Sequence, residues 1–107
     1  SRPNTIIAPQ ALLFMNSPHV RRSATKFMER IQAGDGGEGL SGDVSLGYRM
    51  TLGRTPTETE RGAAVAFVSR QASSYLKNGR NEPEARRLAL ADFCQVLFGL
   101  NEFIYIE

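Results

Sequence analysis

The apolar residues of this 107-residue chain recur at helical spacing, and one stretch is apolar on almost every side. This stretch, Leu88–Phe98, is interrupted by only two polar residues, Asp92 and Gln95. A helix with apolar residues round nearly its whole circumference must be buried on most sides. We therefore predict a central helix that begins near Asn81 and ends near Phe98–Leu100.

Three other segments have the spacing of amphipathic helices, with apolar residues at intervals of three and four. The predicted helices are Pro18–Ala33, Gly42–Leu52 and Glu58–Lys77, and a short helix at Gln10–Met15 precedes them. The residues expected to face the core are Val20, Ala24, Phe27, Met28, Ile31, Val44, Tyr48, Leu52, Ala64, Phe67, Val68, Ala72 and Tyr75.

Capping residues support these boundaries. Ser17 precedes a proline, and this pair is typical of an N-cap followed by the first helical position. Thr57 and Glu60 have the S/T-x-x-E spacing of a capping box. Gly34 and Gly53 stand where two of the helices are expected to end.

Glycines mark two further features. The stretch Gly34–Asp43 contains five glycines in ten residues, which predicts a flexible, solvated loop with Ser41 capping the next helix. Its glycines lack the spacing of a phosphate-binding loop, and no Gly-Lys-Ser/Thr sequence follows. A glycine inside a helix costs about 1 kcal/mol relative to alanine, so we expect close packing at Gly62.

Together these elements predict an all-α fold. It is a compact bundle of four main helices plus a short N-terminal helix, around a central apolar C-terminal helix. We expect residues 1–107 to form a single helical domain, because a chain of this length buries roughly 65% of its unfolded surface. Ile6, Ile7 and the tail Phe103–Ile106, which has a β-like alternation, are expected to dock on the core or on neighbouring sequence.

The composition excludes several classes of protein. Hydrophobic residues make up 41% and charged residues 22%, which is ordinary for a globular domain. A formal net charge of +2 is only a weak indication of an anionic partner. No apolar run approaches the length of about 20 residues that spans a membrane. Cys94 is the only cysteine, so neither an intrachain disulfide nor a cysteine zinc site can form.

Few residues are candidates for chemistry. His19 has no carboxylate at helical spacing from it, so we expect a surface or capping role. Cys94 lies within the apolar helix and is expected to be an inert, buried thiol. Asp92 is the polar exception in that helix. It either faces a partly open groove, pairs with an arginine from another helix, or acts as a functional carboxylate.

The predicted helix Pro18–Ala33 has a basic side that carries Arg21, Arg22, Lys26 and Arg30. These residues form a solvated face, or they contact phosphates or an acidic partner. The segment from Tyr48 to Phe67 resembles a helix-turn-helix motif only superficially, so it does not predict nucleic-acid binding. Its second helix would begin with Glu58 and Glu60, which repel phosphates.

Three stretches resemble one family. They are Ala8–Pro18 (APQALLFMNSP), Leu52–Glu60 (LGRTPTETE) and Ala91–Tyr105 (ADFCQVLFGLNEFIY). In this order and spacing they resemble the C-terminal part of domain of unknown function family 1553, common in large planctomycete-type bacterial proteins. The segment Phe98–Asn101 departs from the asparagine-serine-asparagine run of the family, while Asn101-Glu102-Phe103 is kept.

The resemblance implies a larger protein, and the start at Ser1 rather than Met agrees with a C-terminal fragment. Family members typically carry upstream a second domain of unknown function, and often a cytochrome-c-like module with a CxxCH motif. They are generally exported to the periplasm or cell surface. This chain has no CxxCH motif, so no cofactor is expected in this fragment.

We therefore predict an uncharacterised, non-catalytic helical module that packs against upstream domains of the same polypeptide or other partners. The alternative is a composite active site with upstream domains, to which Asp92, Arg49, Arg54 and Glu102 would contribute. A weak nucleic-acid-binding module acting through Arg21 and Arg22 is a further alternative. The sequence does not predict an oligomeric state.

Overall fold

A computed structural model describes residues 17–34 and 39–106, with side chains described up to Leu100. Within these residues the chain forms four α-helices and no β-strand. The helices are α1 (Pro18–Ala33), α2 (Gly39–Leu52), α3 (Glu58–Lys77) and α4 (Glu82–Ile106). The all-α prediction is confirmed, while the predicted helix Gln10–Met15 lies outside the described residues, as do Ile6 and Ile7.

The helix starts follow the capping residues read from the sequence. The hydroxyl of Ser17 accepts a hydrogen bond from the backbone N–H of Val20 at 3.1 Å. Thr57 and Glu60 form the complete capping box, with reciprocal bonds of 3.1 and 2.9 Å. Gly53 follows α2 at a φ of +75°, a backbone conformation that glycine adopts without strain. These predicted boundaries are confirmed.

Helix α2 begins three residues earlier than predicted. The predicted start was Gly42, after a loop that reached Asp43, whereas the helix starts at Gly39. The reason is Leu40, a partly buried residue that packs against the core. It lies four positions before Val44 and thus extends the apolar stripe of the helix by one turn. Ser41 consequently lies inside the helix and is not its N-cap.

Helix α4 is longer than predicted, because it continues past Leu100 to Ile106. The apolar alternation of Phe103–Ile106 suggested an extended tail, but the segment is helical. A run of so few residues cannot distinguish a strand from the end of a helix by periodicity alone.

The core lies where α4 meets the other three helices, each of which it contacts. Six residues of its apolar stretch are at most 2% exposed: Ala89, Leu90, Ala91, Phe93, Cys94 and Leu97. The predicted core positions of the other helices are buried or pack partly buried against this cluster. Apolar burial from all four helices therefore supplies the main stabilisation of the described bundle.

Close helix packing occurs at Gly47 and not at Gly62. A Cβ atom on Gly47 would lie 3.0 Å from Leu97 Cδ1 and 3.3 Å from Ile31 Cδ1. A Cβ atom on Gly62 would meet nothing within 4 Å. The prediction for Gly62 was wrong, because this glycine lies on the exposed side of α3.

Candidate functional site

Asp92 is the centre of a polar cluster that joins three helices. On the α3 side, the Nε2 atom of Gln71 donates a hydrogen bond to Asp92 Oδ2 at 2.8 Å. The hydroxyl of Tyr75 lies 2.9 Å from Oδ2 and 3.1 Å from Oδ1, so its single proton is shared between the two oxygens. Gln71 and Tyr75 are four residues apart on α3, a spacing that places both side chains on one face.

Arg21 of α1 completes the cluster. Its Nη1 atom donates to Asp92 Oδ1 at 2.7 Å and to Gln95 Oε1 at 2.5 Å. Its Nη2 atom lies 3.5 Å from the backbone oxygen of Leu88. The predicted pairing of Asp92 with an arginine from another helix is therefore present, and the partner is Arg21.

Both oxygens of the carboxylate are engaged. Three donors, from Arg21, Gln71 and Tyr75, reach the two oxygens of Asp92 and occupy most of the about four lone-pair positions that a carboxylate offers. The side chains of Arg21 and Asp92 are 31% and 15% exposed, so the cluster lies at the edge of the bundle rather than in its centre. Burial raises the pKa of Tyr75, and its hydrogen bond to Asp92 raises it further, so the phenol stays protonated and donates. Such a cluster is suited to holding helices together.

A second polar contact stabilises the turn between α2 and α3. Arg54 donates two hydrogen bonds to the carboxylate of Glu60, at 2.8 and 2.9 Å. Its guanidinium carbon lies 5.7 Å from the centroid of the Tyr48 ring, a cation–π distance. The hydrogen bonds from Arg54 lower the pKa of Glu60 from 4.5 to about 2, and the backbone N–H of Thr57 lowers it further.

Cys94 is in the core with no solvent exposure. Burial raises the pKa of its thiol from 9.0 to about 12. A thiolate is required for nucleophilic attack, so this side chain is poorly suited to covalent chemistry. Burial also raises the pKa of Asp43, while the nearby Arg86 opposes that shift.

Two of the residues proposed for a composite site, Asp92 and Arg54, make different polar contacts. Asp92 contacts Arg21, Gln71 and Tyr75, whereas Arg54 contacts Glu60 and Tyr48, so the two groups share no hydrogen-bonding partner.

Two other residues proposed from the sequence are exposed, and the side chain of a third is not described. Arg22 is exposed on α1, and Arg49 is exposed in the last turn of α2. The side chain of Glu102 lies outside the described residues. Because Arg21 turns toward Asp92, the basic side of α1 presents one cation fewer than the sequence pattern indicated.

Sequence reasoning missed two parts of this picture. Gln71 and Tyr75 were not identified as partners of Asp92, although their spacing of four on α3 could have suggested a shared polar face. The grouping of Arg30, Arg49 and Arg61 around one cleft was also missed. No sequence signal connects them, because they lie on three different helices.

Two absences concern the described part of the chain. No group of three or more histidine, cysteine, aspartate and glutamate side chains there is arranged to hold a metal ion. None of the four helices in those residues is both long enough and apolar enough to cross a membrane. The described residues thus give no direct indication of a metal centre.

The described residues form a helical bundle in which Asp92, at the edge of the core, is bonded to side chains of two other helices. Comparison with known families then shows what the chain belongs to. Residues 1–68 match the family model PSD1, described as a protein of unknown function (DUF1553), and the chain is a member of this family. Of the three stretches that suggested this family, the first two lie within the match, and Ala91–Tyr105 lies beyond it. No curated protein matches the chain. No solved structure matches it.

Proposed function

We propose that this chain is a non-catalytic helical module of a larger exported bacterial protein. It packs against upstream domains of the same polypeptide or against other partners, and it lies in the periplasm or at the cell surface. The bundle is organised around α4, whose apolar residues form the core and whose polar residues fix the positions of α1 and α3. No cofactor is required by this fragment.

The observation that carries the proposal is that both carboxylate oxygens of Asp92 are bonded to side chains of the bundle. A general base must have an oxygen within hydrogen-bonding reach of a substrate proton. Both oxygens of Asp92 are already engaged by donors from α1 and α3. The buried thiol of Cys94, with a pKa of about 12, supports the same conclusion. Asp92 and Cys94, the two residues best suited to catalysis by type, thus contribute to the packing of the helices.

The proposal is tested by substituting Asp92→Asn in the longer protein. Asparagine keeps the shape of the side chain and removes its charge. We expect a less stable module, measured by thermal unfolding, with unchanged activity of the longer protein below the unfolding transition. Loss of activity in a variant whose helical circular dichroism is intact would overturn the non-catalytic assignment.

The packing part of the proposal is tested by hydrogen exchange. We expect residues of this chain that contact upstream domains to exchange more slowly in the longer protein than in the 107-residue chain. The regions proposed for docking are Ile6–Ile7 and Phe103–Ile106. Equal protection of these regions in the two proteins would show that they do not dock there.

A composite active site is the second candidate, and one observation favours it. Arg49 is exposed and lines an open cleft, where an upstream domain could place a substrate. The residues to substitute by alanine are Arg49, Arg54, Asp92 and Glu102. Unchanged activity of the longer protein in all four folded variants would eliminate this candidate.

A further inference from the structure

A cleft of about 830 Å³ lies between the end of α1, the helix α2 and the start of α3. Three arginines line it: Arg30 from the last turn of α1, Arg49 from the last turn of α2, and Arg61 from the first turns of α3. The hydroxyl-bearing residues on its walls are Ser41, Ser45 and Thr55. The cleft therefore combines positive charge with several hydrogen-bond donors.

The charge of this cleft differs from that of the chain as a whole. The sequence is nearly balanced, with 13 basic and 11 acidic residues. Among the described residues that line the cleft, by contrast, there are three arginines and no aspartate or glutamate. A concave surface lined by one sign of charge concentrates the field and attracts ligands of the opposite sign.

Two of the three arginines are available to a ligand. Neither Arg30 nor Arg49 has an ion-pair partner among the residues that the structure describes, and both are exposed. Arg61 pairs with Glu58, whose side chain is 86% exposed. Exposed ion pairs of this kind contribute little energy, so a multiply charged anion can compete for Arg61.

The helix dipoles explain the positions of two of the three arginines but not of the third. A basic residue in the last turn is favourable at the negative end of a helix, which explains Arg30 and Arg49 individually. Arg61 lies near the positive end of α3, where a cation is not favoured by the dipole.

We propose that this cleft binds a small organic anion that carries two or more negative charges on phosphate or carboxylate groups. The planar guanidinium groups of Arg30 and Arg49 donate paired hydrogen bonds to its oxygens. Met50, which is 40% exposed, and Leu46 line the same cleft and contact the uncharged part of the ligand.

The experiment titrates the 107-residue chain with inorganic pyrophosphate and, separately, with citrate, at low salt, with binding measured by calorimetry. The two probes distinguish phosphate from carboxylate recognition. We expect saturable binding of at least one probe, and binding weaker by about tenfold or more in Arg30→Gln and Arg49→Gln, because each loses charge-assisted hydrogen bonds. Arg49→Lys should retain part of the affinity, since the charge remains.

The matched controls are Arg22→Gln on α1 and Arg70→Gln on α3, both exposed and both absent from the lining of the cleft. Each removes one positive charge, Arg22→Gln from the helix that carries Arg30 and Arg70→Gln from the helix that carries Arg61. Both should leave binding within about twofold, since exposed charges outside the cleft are screened. The proposal is overturned if neither probe binds at low salt. It is also overturned if Arg22→Gln weakens binding as much as Arg49→Gln, because the effect would then be that of net charge.

Discussion

Arg21 and Asp92 lie 71 residues apart in the sequence, and 2.7 Å separates Nη1 of the arginine from Oδ1 of the aspartate. The same nitrogen donates to Gln95, so the two polar interruptions of the apolar stretch of α4 meet one arginine of α1. Seven apolar residues of that stretch are buried in the core or pack partly buried against it: Ala89, Leu90, Ala91, Phe93, Cys94, Leu97 and Phe98. Arg21 thus bonds to both polar residues of this apolar stretch, and Gln71 and Tyr75 bond to Asp92 as well.

The first prediction concerns this ion pair. Arg21→Gln should lower the free energy of unfolding by about 1–3 kcal/mol, because it leaves the mostly buried carboxylate of Asp92 without its cation. Asp92→Asn should cost a similar amount, and the double variant should cost less than the sum of the two. Urea unfolding monitored by circular dichroism measures all three values.

The neighbouring Arg22→Gln provides the control for this prediction. Arg22 is exposed, so its substitution should change the free energy of unfolding by no more than about 0.5 kcal/mol. If Arg21→Gln cost no more than Arg22→Gln, the pair would not contribute to cohesion.

The sequence was sufficient to single out Asp92 but not to identify its partners. A carboxylate among apolar residues at helical spacing requires a partner, and this follows from burial alone. The identity of Arg21 depends on how α1 crosses α4, a long-range relationship that no local pattern encodes. Tyr75 was predicted as a core residue, and its hydrogen bond to Asp92 was not predicted. Its ring packs against the core, and its hydroxyl reaches Asp92.

The second prediction concerns that hydroxyl. Tyr75→Phe keeps the ring and removes the hydrogen bond to Asp92, so it should lower the free energy of unfolding by about 1–2 kcal/mol. The control is Tyr48→Phe, because Tyr48 makes its contacts with Phe93 and Arg54 through the ring. This control should change stability by less than about 0.5 kcal/mol. Equal effects of the two substitutions would contradict the role given to the Tyr75 hydroxyl.

The third prediction compares two glycines. Gly47→Ala places a methyl group 3.0 Å from Leu97 Cδ1, and overpacking of this kind typically costs about 1–3 kcal/mol. Gly62→Ala meets open space in a helix and should stabilise the chain by up to about 1 kcal/mol. Thermal unfolding of the two variants should therefore shift the melting temperature in opposite directions. A stabilising Gly47→Ala would show that α2 can move away from α4.

Helical geometry contains the signal that distinguishes these glycines. Gly47 lies three residues after Val44 and one before Tyr48, on the apolar side of α2. Gly62 lies two residues before Ala64, which is about 200° around the helix and thus on the opposite side. The presence of a helical glycine alone does not predict close packing, whereas its position relative to the apolar stripe does.

The fourth prediction is a dependence of stability on acid. The pKa of Glu60 is about 2 in the folded chain, below its ordinary value of 4.5, because Arg54 and Thr57 stabilise the carboxylate. The stabilisation is therefore complete above pH 4.5 and is lost as the pH falls toward 2. The slope of the unfolding free energy against pH counts the protons that the chain takes up on unfolding. Because glutamine does not titrate, Glu60→Gln should lower this count by up to one proton in this range. Arg54→Gln should reduce the same slope, and an unchanged slope in both variants would contradict the assignment.

The fifth prediction concerns the reactivity of Cys94. The thiol has no solvent exposure, and burial raises its pKa to about 12, so both access and thiolate formation are restricted in the folded chain. At pH 8 a thiol reagent such as dithionitrobenzoate should modify the folded chain far more slowly than the chain unfolded in guanidinium. The ratio of the two rates gives the free energy of the opening that exposes the thiol.

The position of Cys94 predicts the size of that opening energy. The residue lies on α4 among buried residues from the other helices, so no local movement of one helix end exposes it. The opening energy should therefore approach the global free energy of unfolding measured in urea. An Ala33→Gly variant, which weakens only the exposed end of α1, provides a control because it should leave the labelling rate nearly unchanged. An opening energy far below the global value would show that α4 separates from its neighbours before the bundle unfolds, which would contradict its place at the centre of the core.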